Sequence, residues 1–199
     1  MNDIYAGIRQ AQPEVMGYMI SDGWRRDPKR IAFTAARYKF VAKMLEGKEN
    51  VLEVGAGDGW ISRIVGQHVG NLTLTDTIGG PNILRHDFLD GPLPGKYDGA
   101  YLLDVLEHIR RGAEHTFLSN IKACVNGPVI VGMPSLESQV YASEYSKRGH
   151  INCKTKDGLR QAMKQVWEEV FMFGMNDETL HTGFGPMCHY HLALGVGVR

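Results

Sequence analysis

Apolar side chains recur along this chain in two alternating periods. From Pro28 to Glu46, Ile31, Ala35, Tyr38, Val41, Ala42 and Leu45 fall three and four residues apart. That spacing predicts an amphipathic helix, with Asp27 as N-cap, Pro28 in the first turn and Gly47 as the stop. Asn50 to Val54 is a short apolar run that leads straight into glycines and reads as a strand, and Trp60 to His68 returns to helical spacing through Ile61, Ile64 and Val65. Further strands are predicted at Leu72–Thr75, Tyr97–Leu103, Val129–Val131 and Val170–Phe173, and helices at Glu114–Val125 and Asp157–Glu168. The run His189–Val198 has a period of two, which predicts a strand with one more polar face, the antiparallel member of a mixed sheet. Strands alternating with helices imply an α/β domain: a mostly parallel sheet covered on both faces.

Length and charge narrow the classes this domain can belong to. A chain of 199 residues buries a substantial core as one domain, without disulfides or structural metal. Residues 28–199 read as that domain and residues 1–27 as an N-terminal segment. Lysine plus arginine equals aspartate plus glutamate, 22 each, so no net field recruits nucleic acid or an acidic membrane. Cys124, Cys153 and Cys188 are widely spaced and form no CxxC pair, which argues for reduced thiols and against a zinc site. No stretch approaches 18 uninterrupted apolar residues, and Met1–Tyr5 has no basic and apolar leader pattern, so the expectation is a cytoplasmic protein. The oligomeric state is left open.

The chemistry is concentrated after the first strand, in Glu53-Val54-Gly55-Ala56-Gly57-Asp58-Gly59. Glycines at alternate positions let the backbone turn tightly and let a ligand approach closer than any Cβ allows. The spacing is G-x-G-x-G rather than the G-x-G-x-x-G of dinucleotide sites, and a carboxylate such as Asp58 would repel a pyrophosphate at the helix start. This segment resembles the first motif of the class I S-adenosylmethionine-dependent methyltransferases, a strand ending in E/D-x-G-x-G-x-G. The resemblance implies a Rossmann-like, doubly wound sheet of seven mostly parallel strands with an antiparallel C-terminal strand. It also implies S-adenosylmethionine as cofactor, leaving as S-adenosylhomocysteine, held by Glu53, Gly55, Ala56, Gly57, Asp58 and Gly59. Asp76, closing the second strand, falls where the family places an acid on the ribose hydroxyls. Asp87 falls where it places one on the adenine amino group, with Phe88 flanking the ring, and Asp104 follows the fourth strand at the cofactor's edge.

The same resemblance points to the small-molecule branch of the family. The position after the fourth strand reads Leu103-Asp104-Val105-Leu106-Glu107-His108, with neither the Asn/Asp-Pro-Pro-aromatic nor the Pro-Cys signature of base-modifying enzymes. Transfer from a sulfonium is an in-line displacement that needs placement and, for a hydroxyl acceptor, a base. His108 is the first candidate, at the strand edge where ligands bind in open α/β sheets. His150, in a Gly-His-hydrophobic segment, and His181, in the polar loop stretch Met175–Phe184, are the others. Asp104, Glu107 and His108 share a face if a helical turn begins there, and D-x-x-E-H resembles the E-x-x-E-H metal site of quinone O-methyltransferases. The shortened first acid argues against it, so no metal is expected. His189 and His191 read as a half-exposed strand rather than a metal pair, and Met172 and Met175 as core. Tyr5, Tyr18, Trp24 and Phe33 are candidates for a lid over the acceptor. The expected activity is methyl transfer to a small-molecule hydroxyl. An inactive S-adenosylmethionine-binding regulatory or assembly protein is the alternative, and a nicotinamide oxidoreductase is a third reading that the glycine spacing disfavours.

Overall fold

The computed structural model describes residues 12–197; Tyr5 and Val198 lie outside the described residues. Eight strands form one sheet: β1 (Asn50–Val54), β2 (Asn71–Asp76), β3 (Ile83–Arg85), β4 (Gly99–Leu103), β5 (Val129–Pro134), β6 (Glu169–Asn176), β7 (Thr179–His181) and β8 (Tyr190–Val196). Their order is β3-β2-β1-β4-β5-β8-β6-β7. The first five are parallel to one another, while β8 runs antiparallel to both β5 and β6. The helices are α1 (Tyr18–Arg26), α2 (Lys29–Met44), α3 (Arg63–Gly66), α4 (Glu114–Cys124), α5 (Glu144–Gly149) and α6 (Lys156–Lys164).

The central strands read as continuous apolar runs because both faces are covered. One face buries Leu52, Val54, Ala100 and Leu102 against Phe117, Leu118 and Ile121 of α4, and against Leu159, Met163 and Trp167 around α6. The other buries Val51, Tyr101, Leu103 and Ile130 against Tyr38, Val41, Ala42 and Leu45 of α2. Alternation along each strand thus sends successive residues to the two cores.

Several elements differ from the sequence expectation. The helix predicted from Trp60 to His68 holds helical geometry only over the four residues of α3, with i to i−3 bonds such as Ile64 N to Ile61 O on its flank. Gly59, Gly66 and the β-branched Ile61, Ile64 and Val65 weaken it. Pro28 rather than Asp27 occupies the N-cap of α2. The stretch Met175–Phe184, expected as loop, contains a hairpin: Asn176 pairs with Thr179 across Asp177, whose φ of 52° a short polar side chain tolerates. With β7 and the three-residue β3, too short to show a period, the sheet has eight strands rather than seven. The last strand has no polar face: β8 sits between two neighbours and His191 is fully buried.

The N-terminal segment is fastened to the glycine turn. The Asp58 carboxylate accepts from the Met19 and Ile20 N–H groups at 3.1 and 3.2 Å, taking up donors that the first turn of α1 leaves without partners. Any Cβ on Gly17 would overlap that of Asp58, at 2.1 Å, and the Met19 sulfur packs directly on Gly57.

Two consequences are measurable. Asp58→Ala should cost α1 about 0.5–2 kcal/mol, the scale of a lost N-cap, seen as faster amide exchange in residues 18–22; unchanged exchange would mean that other contacts hold α1. Gly195→Ala would place a methyl 2.7 Å from the Trp167 ring. It should lower stability by about 1–3 kcal/mol, read as a shifted urea midpoint with unchanged slope, and an unshifted midpoint would contradict this packing.

Candidate functional site

The carboxyl ends of β1, β2 and β4 meet at one edge of the sheet, and the glycine turn rises from the first of them. Gly55, Gly57 and Gly59 all have left-handed backbone, with φ of 77°, 60° and 68°. A side chain would also be obstructed there: a Cβ on Gly55 would lie 2.3 Å from Val105, and one on Gly59 3.0 Å from Leu74. The Gly55 and Ala56 N–H groups both donate to the Thr75 carbonyl, at 2.8 and 2.9 Å, and Ala56 itself is buried. Gly57 N–H donates to Asp76 Oδ2 at 3.0 Å, and Ile78 N–H to its Oδ1, also at 3.0 Å. The acid ending β2 is therefore held across the turn, each oxygen retaining lone-pair capacity.

Glu53 lies beneath the turn, fully buried. Tyr38 of α2 donates to one carboxylate oxygen at 2.6 Å and Tyr101 of β4 to the other at 2.5 Å. Burial pushes the Glu53 carboxyl above its ordinary range, against the pull of the phenol donors, and burial beside that carboxylate raises both tyrosines well above theirs. The sequence reading placed Glu53 with the ligand-facing residues; the structure gives its carboxylate to two phenols. The partners were discoverable. Tyr101 pairs with Glu53 in the β1–β4 register, and a buried phenol needs an acceptor.

Toward β3, Asp87 accepts from the Leu89 N–H at 2.9 Å and lines an open cleft of about 440 Å³ with Thr77, Arg85, His86 and Asp90. Phe88 is in the core, edge-on to His86 and Phe117, so its ring supports the cleft from below instead of flanking a ligand.

At the end of β4, Asp104 adopts a φ of 57°, a conformation that costs a non-glycine residue free energy and recurs at functional sites. Arg37 of α2 holds it there, with Nη1 3.1 and 3.3 Å from the two carboxylate oxygens. The guanidinium stacks 3.7 Å from the centroid of the Tyr190 ring. Arg37 was not anticipated, since a lone arginine on a helix reads as solvated. The Asp104, Glu107 and His108 trio is rearranged accordingly: Asp104 serves Arg37, and His150 takes its place beside the other two. The His108 and His150 rings stand edge to face with centroids 5.3 Å apart. His108 Nδ1 lies 2.9 Å from the Gly149 carbonyl and His150 Nδ1 2.9 Å from Gln139 Oε1. Both acceptors lack protons, so each Nδ1 carries one and the lone pair is left on Nε2. Burial and the neighbouring His108 lower the pKa of His150. Glu107 is fully buried, with a pKa pushed well up by burial and then by Asp104, and neither of its oxygens has a hydrogen-bond partner among the described residues.

His181 is elsewhere. It lies on β7, four strands beyond β4 in the sheet order, beside Cys188 and Asn176. The expected His189 and His191 pair is divided by burial: His189 is exposed, and His191 is fully buried 3.8 Å from Glu137. Tyr18 and Trp24 are exposed and Phe33 half-buried. No helix among the described residues is long and apolar enough to cross a membrane.

Comparison with known proteins bears on this edge. A search of curated proteins returned no match. The family profile described as Methyltransferase domain matches residues 24–166. Among solved structures, the chain is similar to the methyltransferase domain of bacterial CtHen1-C, at 16% identity and TM-score 0.67 over 83% of this chain and 100% of that one. It is also similar to N-methyltransferase NodS from Bradyrhizobium japonicum WM9, at 13% identity and TM-score 0.59 over 85% and 97% of the two chains. The DhpI-SAH complex aligns at 14% identity and TM-score 0.62 over 88% and 89%. These similarities show the shared fold. With the profile spanning the glycine turn, the β2 acid and the β4 edge, the chain belongs to the methyltransferase domain family, as a class I enzyme whose methyl donor is S-adenosylmethionine.

Proposed function

We propose that the chain transfers the methyl group to a hydroxyl oxygen of a small-molecule acceptor bound over the end of β4. The observation that carries this reading is the convergence of Glu107, His108 and His150 at the strand edge that also bears the glycine turn. In this reading the backbone of Gly55–Gly59 receives the methionine part of the donor, Asp76 accepts from the ribose hydroxyls through its remaining lone pairs, and Asp87 meets the adenine amino group. Glu53 acts from beneath by fixing the turn, and Asp58 by tying residues 17–20 across it. That tie supports a lid role for the N-terminal segment. The equal numbers of acidic and basic residues fit a small acceptor better than a polyanion.

The displacement makes modest demands. An oxygen lone pair attacks the methyl carbon as the carbon–sulfur bond breaks, its electron pair going to sulfur and leaving S-adenosylhomocysteine. The hydroxyl proton departs at the Glu107, His108 and His150 cluster. Arg37 keeps Asp104 out of that path by holding it in an ion pair. His181, four strands away, is not used.

Two variants test the two halves of the site. Asp76→Ala should weaken S-adenosylhomocysteine binding by about 1.5–3 kcal/mol, the scale of hydrogen bonds to a charged group, measured by calorimetry. Unchanged affinity would place the ribose elsewhere. His108→Ala should slow methyl transfer by about 100- to 10,000-fold and leave that affinity nearly intact, measured with radiolabelled donor on an acceptor found by screening hydroxylated metabolites. Undiminished turnover would remove the cluster from the reaction, and equal loss of donor binding would make His108 structural.

A further inference from the structure

The connection between β5 and α6 that brings Gln139 and His150 to the rim also lines a cavity that the methyl-transfer reading does not use. Its volume is about 310 Å³, and it lies between the Arg111–Ala113 turn, the start of α4 and the side of α6. Pockets for small molecules begin at roughly that size. Its floor is fixed by a closed polar triangle. Lys154 Nζ lies 2.8 Å from Glu114 Oε2, in an ion pair whose side chains are only 11% and 12% exposed. Asn152 Nδ2 donates to the same Glu114 oxygen at 2.7 Å, and Asn152 Oδ1 accepts from Lys154 at 3.1 Å. The three side chains satisfy one another, which makes the floor rigid. The Asn152 N–H donates to the Glu107 carbonyl at 2.9 Å, so the floor is also tied to the rim.

The rest of the lining selects a ligand. Of its charges, Glu114 answers Lys154 and leaves Arg111 over. A guanidinium presents paired N–H donors that match a carboxylate or a phosphate. Gln161 and Gln165 are four residues apart, on one side of α6 and its C-cap, and their carboxamides both donate and accept, as hydroxyl groups require. Leu136 and Ala162 add a small apolar wall.

We propose that this cavity holds the far end of the methyl acceptor, and that the acceptor is a small polyhydroxylated molecule bearing one anionic group, a carboxylate or a phosphate. Spacing along the chain places the cavity within reach of the rim. Arg111 follows His108 by three residues and Cys153, also on the lining, follows His150 by three, so chain length alone keeps both within about 11 Å of the rim histidines. A molecule of that length presents its hydroxyl at His108 and His150 while its anion sits on Arg111. Holding the remote end in this way orients the reacting oxygen. Arg111 then sets specificity, favouring anionic acceptors over neutral ones. The binding of an anion stands on the cavity; its place on the acceptor rests on the hydroxyl reading above.

The test titrates the full chain with glucuronate, glucose-6-phosphate and glucose, following the side-chain amide resonances of Gln161 and Gln165. At least one of the two anions should shift them saturably, and glucose should bind at least about 10-fold more weakly, the scale of hydrogen bonds to a charged group. Arg111→Gln should weaken the anion by a similar factor, with S-adenosylhomocysteine affinity unchanged; Arg111 is exposed, so the fold tolerates the change. The tighter anion identifies the group that the acceptor carries. No saturable shift with either anion, or undiminished binding by Arg111→Gln, overturns the site. On an acceptor found by screening, Arg111→Gln should raise KM at least about 10-fold and leave kcat nearly intact. A best acceptor that is neutral, with KM unmoved by Arg111→Gln, would overturn the link to catalysis. Undiminished turnover by His108→Ala while the anion still binds would reject the hydroxyl reading and uphold the cavity site, so the two fail separately.

Discussion

The buried carboxylate of Glu53 is the contact on which the arrangement of this edge depends. Its two oxygens take the hydroxyls of Tyr38 and Tyr101, from α2 and β4, and its backbone carbonyl accepts from Thr75 of β2 at 2.7 Å. One residue therefore joins a helix and three adjacent strands immediately before the chain turns through three left-handed glycines. A charge in such a place is costly alone and tolerable when hydrogen-bonded. Removing either phenol would leave the carboxylate under-satisfied and loosen the platform from which the glycine turn rises.

From that platform polar groups fan out along the strand ends in chain order. The β2 acid reaches back to the Gly57 N–H, Asp58 reaches up to the first turn of α1, and Asp104 is held in left-handed backbone by a half-buried arginine stacked on Tyr190. Each of these carboxylates is partnered: Glu53 by phenols, Asp58 and Asp76 by backbone amides, Asp104 by a guanidinium. Glu107 alone among these acids has none among the described residues, and it is the one beside the two histidines. In the proposed reading, donor pocket and acceptor rim share this one scaffold.

Much of this was legible in the residues because its signals are local. The strand that runs into Gly55, the acid that closes β2 and the polar cluster that follows β4 are each set by a few consecutive positions, and parallel topology carries them to one edge. The partners were not legible, because they come from distant chain. Arg37 reads as solvated until α2 is packed over Asp104, and the joining of Asp58 to residues 19 and 20 depends on how the N-terminal segment folds back. His150 meets His108 through the path of the connection after β5, which no periodicity encodes. Phe88 was misplaced for a related reason, since sequence puts it beside Asp87 but only packing against Phe117 decides which way the ring turns. The β6–β7 hairpin was missed because its strands are short and its turn, Asn176-Asp177-Glu178, reads equally well as loop.

The central claim is geometric: the donor lies against the glycine turn with its sulfur directed toward the Glu107, His108 and His150 rim. A crystal structure of the chain with S-adenosylhomocysteine measures this directly. The account predicts the ribose hydroxyls on Asp76, the adenine toward Asp87, and the sulfur on the side of β4 facing His108 and His150. A product molecule bound with its sulfur pointing away from that rim, or seated off the glycine turn, would contradict it.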